Sequence, residues 1–170
     1  MGKHQHLVDL ALSGELPKLA IEFFIVFSRF ECALKRSADY AAPGDNAKVN
    51  ANWDAFAKDL GNGFFEEVKA QGLAPELLHS PPKLQVVLPN GGGLGWREPP
   101  AVNNSVELFL AIRRARNNLV HGAKYRDRAT GRVDPVDGSE RDERLLDQAL
   151  AVLGLALERN AKVRGFFHPY

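Results

Sequence analysis

Apolar residues recur at helical spacing in two long stretches of this chain. That periodicity limits its fold more than any other feature, because a helix with one apolar face needs a neighbour to cover it. Phe23, Phe27, Phe30 and Leu34 share one face of a segment that starts at Pro17, a residue suited to the first turn of a helix. This first long helix is predicted to run to about Ser37, with Glu31 and Lys35 forming an i,i+4 pair. Leu146, Ala149, Leu150, Leu153 and Leu157 repeat the pattern after Ser139 and Asp142, which offer a cap, and predict a last long helix ending near Val163.

Between these two, punctuation residues divide the chain. Ala41 to Lys48 carries Pro43, Gly44, Asp45 and Asn46, a loop composition. A second helical region is predicted over Trp53 to Gln71, interrupted at Gly61-Asn62-Gly63 and ended by Gly72. From Pro81 to Pro100 the pattern changes. Leu84 to Leu88 reads as a short strand, Asn90 to Gly93 as a turn and Leu94 to Trp96 as a return strand, so a small β-hairpin or an ordered loop is expected. Asn104 caps a third long helix, Glu107 stands where a capping box needs it, and Gly122 is placed to end it. A short helix is expected at Leu7 to Leu12 and a loop at Thr130 to Gly138. No repeat or linker divides the 170 residues, so one domain is expected over 1–170, with a core at about 17–165 and a polar, flexible N-terminus at 1–6.

Composition narrows the setting. The lone Cys32 rules out an internal disulfide and fits a reducing compartment. The first sixteen residues hold Asp9 and Glu15 and do not read as a signal peptide. The most apolar stretch, Ile21 to Phe27, contains Glu22 and is far shorter than the roughly 20 residues that span a bilayer. The expectation is a cytoplasmic protein with no membrane partner. His4 and His6 sit in the polar N-terminus and are assigned no metal, and the glycines from Asn90 to Gly95 lack the Gly-Lys-Ser or Gly-Lys-Thr ending of a phosphate loop.

Formal net charge is +1, yet Arg113, Arg114, Arg116, Lys124, Arg126, Arg128 and Arg132 stand against only Asp127 within residues 113–132. A polyanion can dock on such a window. At about 100° per residue, Leu108, Ile112, Ala115 and Leu119 fall in a narrow arc, while Arg113, Arg116 and Asn117 project from the opposite side. Asn117 and His121, four residues apart, stack on that free side with Arg116 adjacent, so a guanidinium, an amide and an imidazole can converge on one phosphate. The carbonyls at a helix C-terminus favour a protonated imidazole, and the neighbouring arginines oppose it. Val106, Leu110 and Val120 share the polar side, which implies a second buried surface: either a two-fold dimer through the helix at about 105–121 or cover from neighbouring helices. Trp53 and Trp96 are candidates for stacking on bases, Trp96 the better one because it lies in the insertion; core packing is the plain alternative for both.

Arg116-Asn117-Asn118-Leu119-Val120-His121 resembles the signature of the HEPN superfamily of helical ribonucleases, an arginine and a polar residue followed after a short gap by a histidine. Phe24 to Lys35, Asn52-Trp53-Asp54 and Asn118 to Tyr125 are also similar to a small bacterial branch of that superfamily, and the likeness spans roughly residues 17 to 165. The resemblance implies an all-α, HEPN-like bundle of four to five helices with a small insertion near residues 81–100. It implies a metal-independent endoribonuclease without cofactor, in which the substrate's 2′-hydroxyl attacks the adjacent phosphorus at a composite dimer site and leaves a 2′,3′-cyclic phosphate and a 5′-hydroxyl. Carried over, His121 is the general acid or base, Arg116 stabilises charge on the phosphate and Asn117 orients one of them.

Arg113, Lys124, Arg126 and Arg128 would follow the RNA backbone, and Glu31, Arg29 and Ser28 would support the motif from the first long helix, a solvated helix face being the plainer reading. The role implied is a toxin or defence effector with an antitoxin or regulatory partner. Some HEPN toxins carry a tyrosine two residues after the histidine, a target for a nucleotidyltransferase; here Ala123 stands there and Tyr125 comes later, which argues against that partner. The alternative is a catalytically inactive domain that binds RNA or a nucleotide or serves as a dimerisation module.

Overall fold

A computed structural model describes residues 18–89, 93–120 and 139–168. The expected short helix at 7–12, the polar N-terminus at 1–6, Gly122 and the loop at 130–138 lie outside the described residues.

Helix α1, Lys18–Arg36, buries Ala20, Phe23, Phe27, Phe30, Ala33 and Leu34, the expected stripe with two small residues added. Glu31 does not pair with Lys35. It lies at the margin of the buried stripe and meets α4 instead, as described below.

The segment read as a loop is partly a hairpin. A 3₁₀ turn at Ala38–Tyr40 leads into β1, Ala41–Pro43, which pairs antiparallel with β2, Val49–Ala51. Three-residue strands are too short to show alternation, which is why composition alone suggested a loop. The turn is closed by Gly44 N donating to Lys48 O (2.7 Å), with Asn46 and Ala47 in the left-handed region.

Helix α2, Trp53–Ala70, starts where the side chain of Asn52 accepts from Ala55 N (3.0 Å) and is interrupted at Gly61 (φ 70°, ψ −172°), as its glycines predicted. It ends in a Schellman motif. Gly72, at φ 62°, sends its N–H to Lys69 O (3.0 Å) while Leu73 N bonds Val68 O (3.1 Å). A one-turn helix α3, Pro75–His79, follows and was not anticipated. Its free N–H groups at Glu76 and Leu77 are satisfied from far along the chain, by Gln148 Oε1 at 2.9 and 3.1 Å. The insertion is a hairpin: β3, Leu84–Val87, pairs antiparallel with β4, Leu94–Arg97.

Helix α4, Ser105–Val120, carries the expected cap in shifted form. Asn104 Oδ1 accepts from Glu107 N (2.9 Å), while the Glu107 carboxylate reaches Asn103 N (2.8 Å) rather than the cap residue's own N–H. Helix α5, Ser139–Arg159, stops short of the expected Val163, and α6, Ala161–Phe167, begins after it. Asn160 makes the break. Its Oδ1 caps Val163 N (2.9 Å) and its Nδ2 donates to the Tyr40 hydroxyl (2.9 Å), which in turn donates to Asp59 (2.5 Å).

The described residues are therefore mostly helical, with the expected hairpin near 81–100 and a second small hairpin at Ala41–Ala51 that was not expected. α2 packs on α4, and α1 on α5 and α6. Aromatic rings join these pairs: Trp53 stacks on Phe27 and Phe30 (5.1 and 5.3 Å), and Phe109 of α4 meets Phe56 and Phe64. Trp53 is thus a core residue, not a base-stacking one. No described helix is long and apolar enough to cross a membrane.

Candidate nucleic-acid site at the end of helix α4

The buried side of α4 is broader than a narrow arc. Leu108, Phe109, Ala111, Ile112 and Ala115 are all buried, because α4 lies between α2 on one flank and the α5 and α3 helices on the other. This width decides where Arg116 goes. It follows Ile112 by four residues and Phe109 by seven, both fully packed, so its Cβ leaves on the core side of the helix toward α1. The expectation that Arg116 projects with Arg113 and Asn117 from the opposite side is corrected by that geometry.

Arg116 is held from several directions. Its guanidinium carbon lies 5.0 Å from the centre of the Phe27 ring, and its Nη2 is 3.7 Å from Glu31 Oε1. The same carboxylate oxygen accepts from Trp53 Nε1 at 3.5 Å. Among the described residues Arg116 Nε is buried with no hydrogen-bond partner. Stacking a cation on a ring contributes roughly 0.5–2 kcal/mol, whereas an unpaired buried donor costs about 1–3 kcal/mol. The two nearly offset each other, so the arginine is placed but not satisfied. Its side chain keeps 27 % of its surface exposed, and Glu31 keeps 29 %. An oriented, partly exposed guanidinium is suited to a phosphate.

The neighbouring residues leave the helix in other directions. Asn117 is exposed. Arg113 pairs with Asp54 Oδ1 (3.3 Å) on the first turn of α2. Arg114 Nη1 donates to Pro82 O (3.3 Å) and Asn118 Nδ2 to Lys83 O (3.0 Å), so both hold the root of the β3–β4 hairpin. Burial of Arg114 works against its charged form. Arg29 is remote from this cluster in role: its Nε and Nη2 donate to Phe167 O and His168 O (2.7 and 3.0 Å) and tie down the end of α6. Ser28 is exposed. Of the residues read as supporting the motif, the structure brings Glu31 to Arg116. His121, Lys124, Arg126, Arg128 and Arg132 lie outside the described residues.

Phe27 and Asp54 were not singled out as site residues. A ring in a buried stripe looks the same in sequence whether or not a cation sits on it, and Asp54 meets Arg113 only because α2 packs on α4.

The chain matches no protein-family model, no curated protein and no solved structure.

Of the second apolar surface expected on α4, the Val120 side chain lies outside the described residues. Val106 packs against the core and Leu110 is exposed. A larger exposed apolar surface lies on α1, where Ile21, Phe24 and Ile25 face outward. Phe24 lies seven residues before Glu31, two turns along the same helix face.

Proposed function

We propose that the chain is a HEPN-type, metal-independent endoribonuclease acting as a toxin or defence effector. Arg116 stabilises the charge that develops as the 2′-hydroxyl attacks phosphorus, His121 transfers a proton and Asn117 orients the phosphate or the imidazole. Two copies of the motif form a composite site in a homodimer, and the basic residues Arg113, Lys124, Arg126 and Arg128 hold the RNA backbone. The observation that carries this reading is Arg116 itself: the first residue of the motif lies over Phe27 beside Glu31, oriented and partly exposed. An antitoxin or other regulatory partner would act by covering this surface.

The test is incubation of purified wild type, Arg116→Ala and His121→Ala with labelled RNA in excess chelator, followed by end-group analysis of the fragments. Cleavage to cyclic-phosphate ends by wild type and by neither variant is the expected outcome. Equal cleavage by all three would identify a contaminant and remove the proposal.

The ion pair with Glu31 also favours a second reading, since it gives Arg116 a packing role that needs no chemistry. In that reading the domain binds RNA or dimerises without cutting, and His121→Ala changes neither property.

A further inference from the structure

The β3–β4 hairpin presents two different faces. Register pairs Leu84 with Arg97 and Val86 with Gly95 on one face, and Gln85 with Trp96 and Val87 with Leu94 on the other. The first is covered: Leu84 and Val86 are half-buried, and Leu88 lies so close over Gly95 that a Cβ there would meet its side chain at 2.6 Å. The second carries the hairpin's most exposed apolar side chains: Val87 is 79 % and Leu94 62 % exposed, Gln85 is exposed, and Trp96 is half-buried among them. The Trp96 indole makes no ring contact and no hydrogen bond among the described residues, whereas Trp53 stacks on two phenylalanines.

Cations lie at the root of the hairpin. Arg97 of β4 is on the opposite face, with Leu84, whereas Lys83 precedes β3 and pairs with Glu98 at 3.6 Å. Arg114 and Arg141 reach the hairpin root through hydrogen bonds to Pro82 O and Ser80 O. Asp142 and Glu98 are the acidic groups nearby. Together with the Asn118 bond to Lys83 O, these contacts fix the hairpin against the last two turns of α4, on the side away from Phe27 and Glu31.

We propose that the Trp96, Gln85, Val87 and Leu94 face is a stacking platform for the bases of single-stranded RNA. It rests on the reading that this chain acts on RNA and adds the substrate class and the surface that selects it. A partly exposed indole flanked by an amide and two aliphatic side chains accepts the face of any base, and the cations at the hairpin root, Lys83, Arg114 and Arg141, hold the phosphates between bases. Duplex RNA hides its base faces and gains nothing from Trp96.

The experiment measures fluorescence anisotropy of a labelled single-stranded RNA decamer and of the matching duplex, in chelator, with the full-length His121→Ala protein as parent so that no cleavage intervenes. Trp96→Ala weakens binding of the single strand about tenfold and leaves the duplex unchanged, while Trp96→Phe retains most of the single-strand affinity. Bound RNA quenches the tryptophan fluorescence of the parent but not of Trp96→Phe, whose remaining Trp53 is buried. Leu94→Ser, at an exposed position, gives a second variant that weakens the single strand without unfolding the hairpin. Equal single-strand affinity in parent and Trp96→Ala, or no binding by the parent, would overturn the proposal. So would a fall in molar mass by sedimentation in Trp96→Ala, which would assign the face to a second copy of the chain. If wild type cuts no RNA but Trp96-dependent binding persists, the platform stands and the ribonuclease reading fails.

Discussion

Arg116 shows how one side chain inherits its direction from residues a full turn away. Ile112 and Phe109 place it on the packed side of α4, and Phe27 and Glu31 then keep it from folding into the core. Under the proposed chemistry Glu31 is a positioning residue. Glu31→Ala is expected to lower the cleavage rate roughly tenfold with little change in RNA affinity, the size of effect seen when a supporting hydrogen-bond partner is lost. Steady-state kinetics separates this from a binding defect, and Glu31→Gln recovers part of the rate because its amide oxygen still accepts from Trp53. Tyr40 gives a pH prediction. Burial, helped by the bond to Asp59, pushes its hydroxyl up to about 12 from the ordinary 10.0. Between those values the unfolded chain loses the proton while the folded one keeps it, so stability is full below pH 10 and falls as pH rises toward 12. Chemical denaturation at pH 9 and pH 11 is expected to show the fall, and Tyr40→Phe to abolish it. Losing both bonds of that hydroxyl costs Tyr40→Phe about 1–3 kcal/mol at pH 7.

Element boundaries follow single residues with clear physical reasons. Two glycines in α2 test this by contrast. Gly61 occupies a backbone region that only glycine enters easily, and a Cβ there meets nothing within 4 Å. Gly61→Ala is therefore expected to lower stability by about 1–3 kcal/mol through backbone strain alone. Gly63 is in the same helix without that constraint and is equally open, so Gly63→Ala raises stability by about 0.5–1 kcal/mol. Urea melts of the two variants moving in opposite directions would confirm that the interruption is a backbone requirement. Asn104 and Asn160 act as caps that sequence makes visible for one and hides for the other. Asn104 precedes a recognisable helix start, whereas Asn160 falls between two helical patterns that read as one continuous helix.

At the scale of the whole molecule, four long helices and a buried aromatic cluster leave outward apolar side chains among the described residues, apart from the β3–β4 hairpin: Val49 on β2, Leu110 on α4, and Ile21, Phe24 and Ile25 on α1. The proposed composite site needs a second copy close to Arg116, and the α1 surface is both larger and on the Glu31 side. Phe24→Asp is expected to dissociate that dimer in sedimentation experiments, since a charge in an apolar contact goes unpaired, while Leu110→Asp leaves the mass unchanged. If Leu110→Asp alone dissociates it, the contact runs through α4, as the periodicity of the chain first suggested.

The helices, the interruption at Gly61, the end at Gly72, the cap at Asn104 and the hairpin after Pro81 were legible in the order of residues. Each depends on groups within a few positions of one another, and local propensity and periodicity record such relations. The one-turn helix α3, the Ala41–Ala51 hairpin and the break at Asn160 were not legible, for their stability comes from Gln148, Tyr40 and other partners many residues away. The same holds for the site. The chain displayed an arginine and a histidine at a suggestive spacing. Which ring lies under that arginine, which carboxylate meets it and which strand pair Arg114 and Asn118 hold were settled by packing, because contacts between elements depend on how wide each buried face becomes once its neighbours are in place.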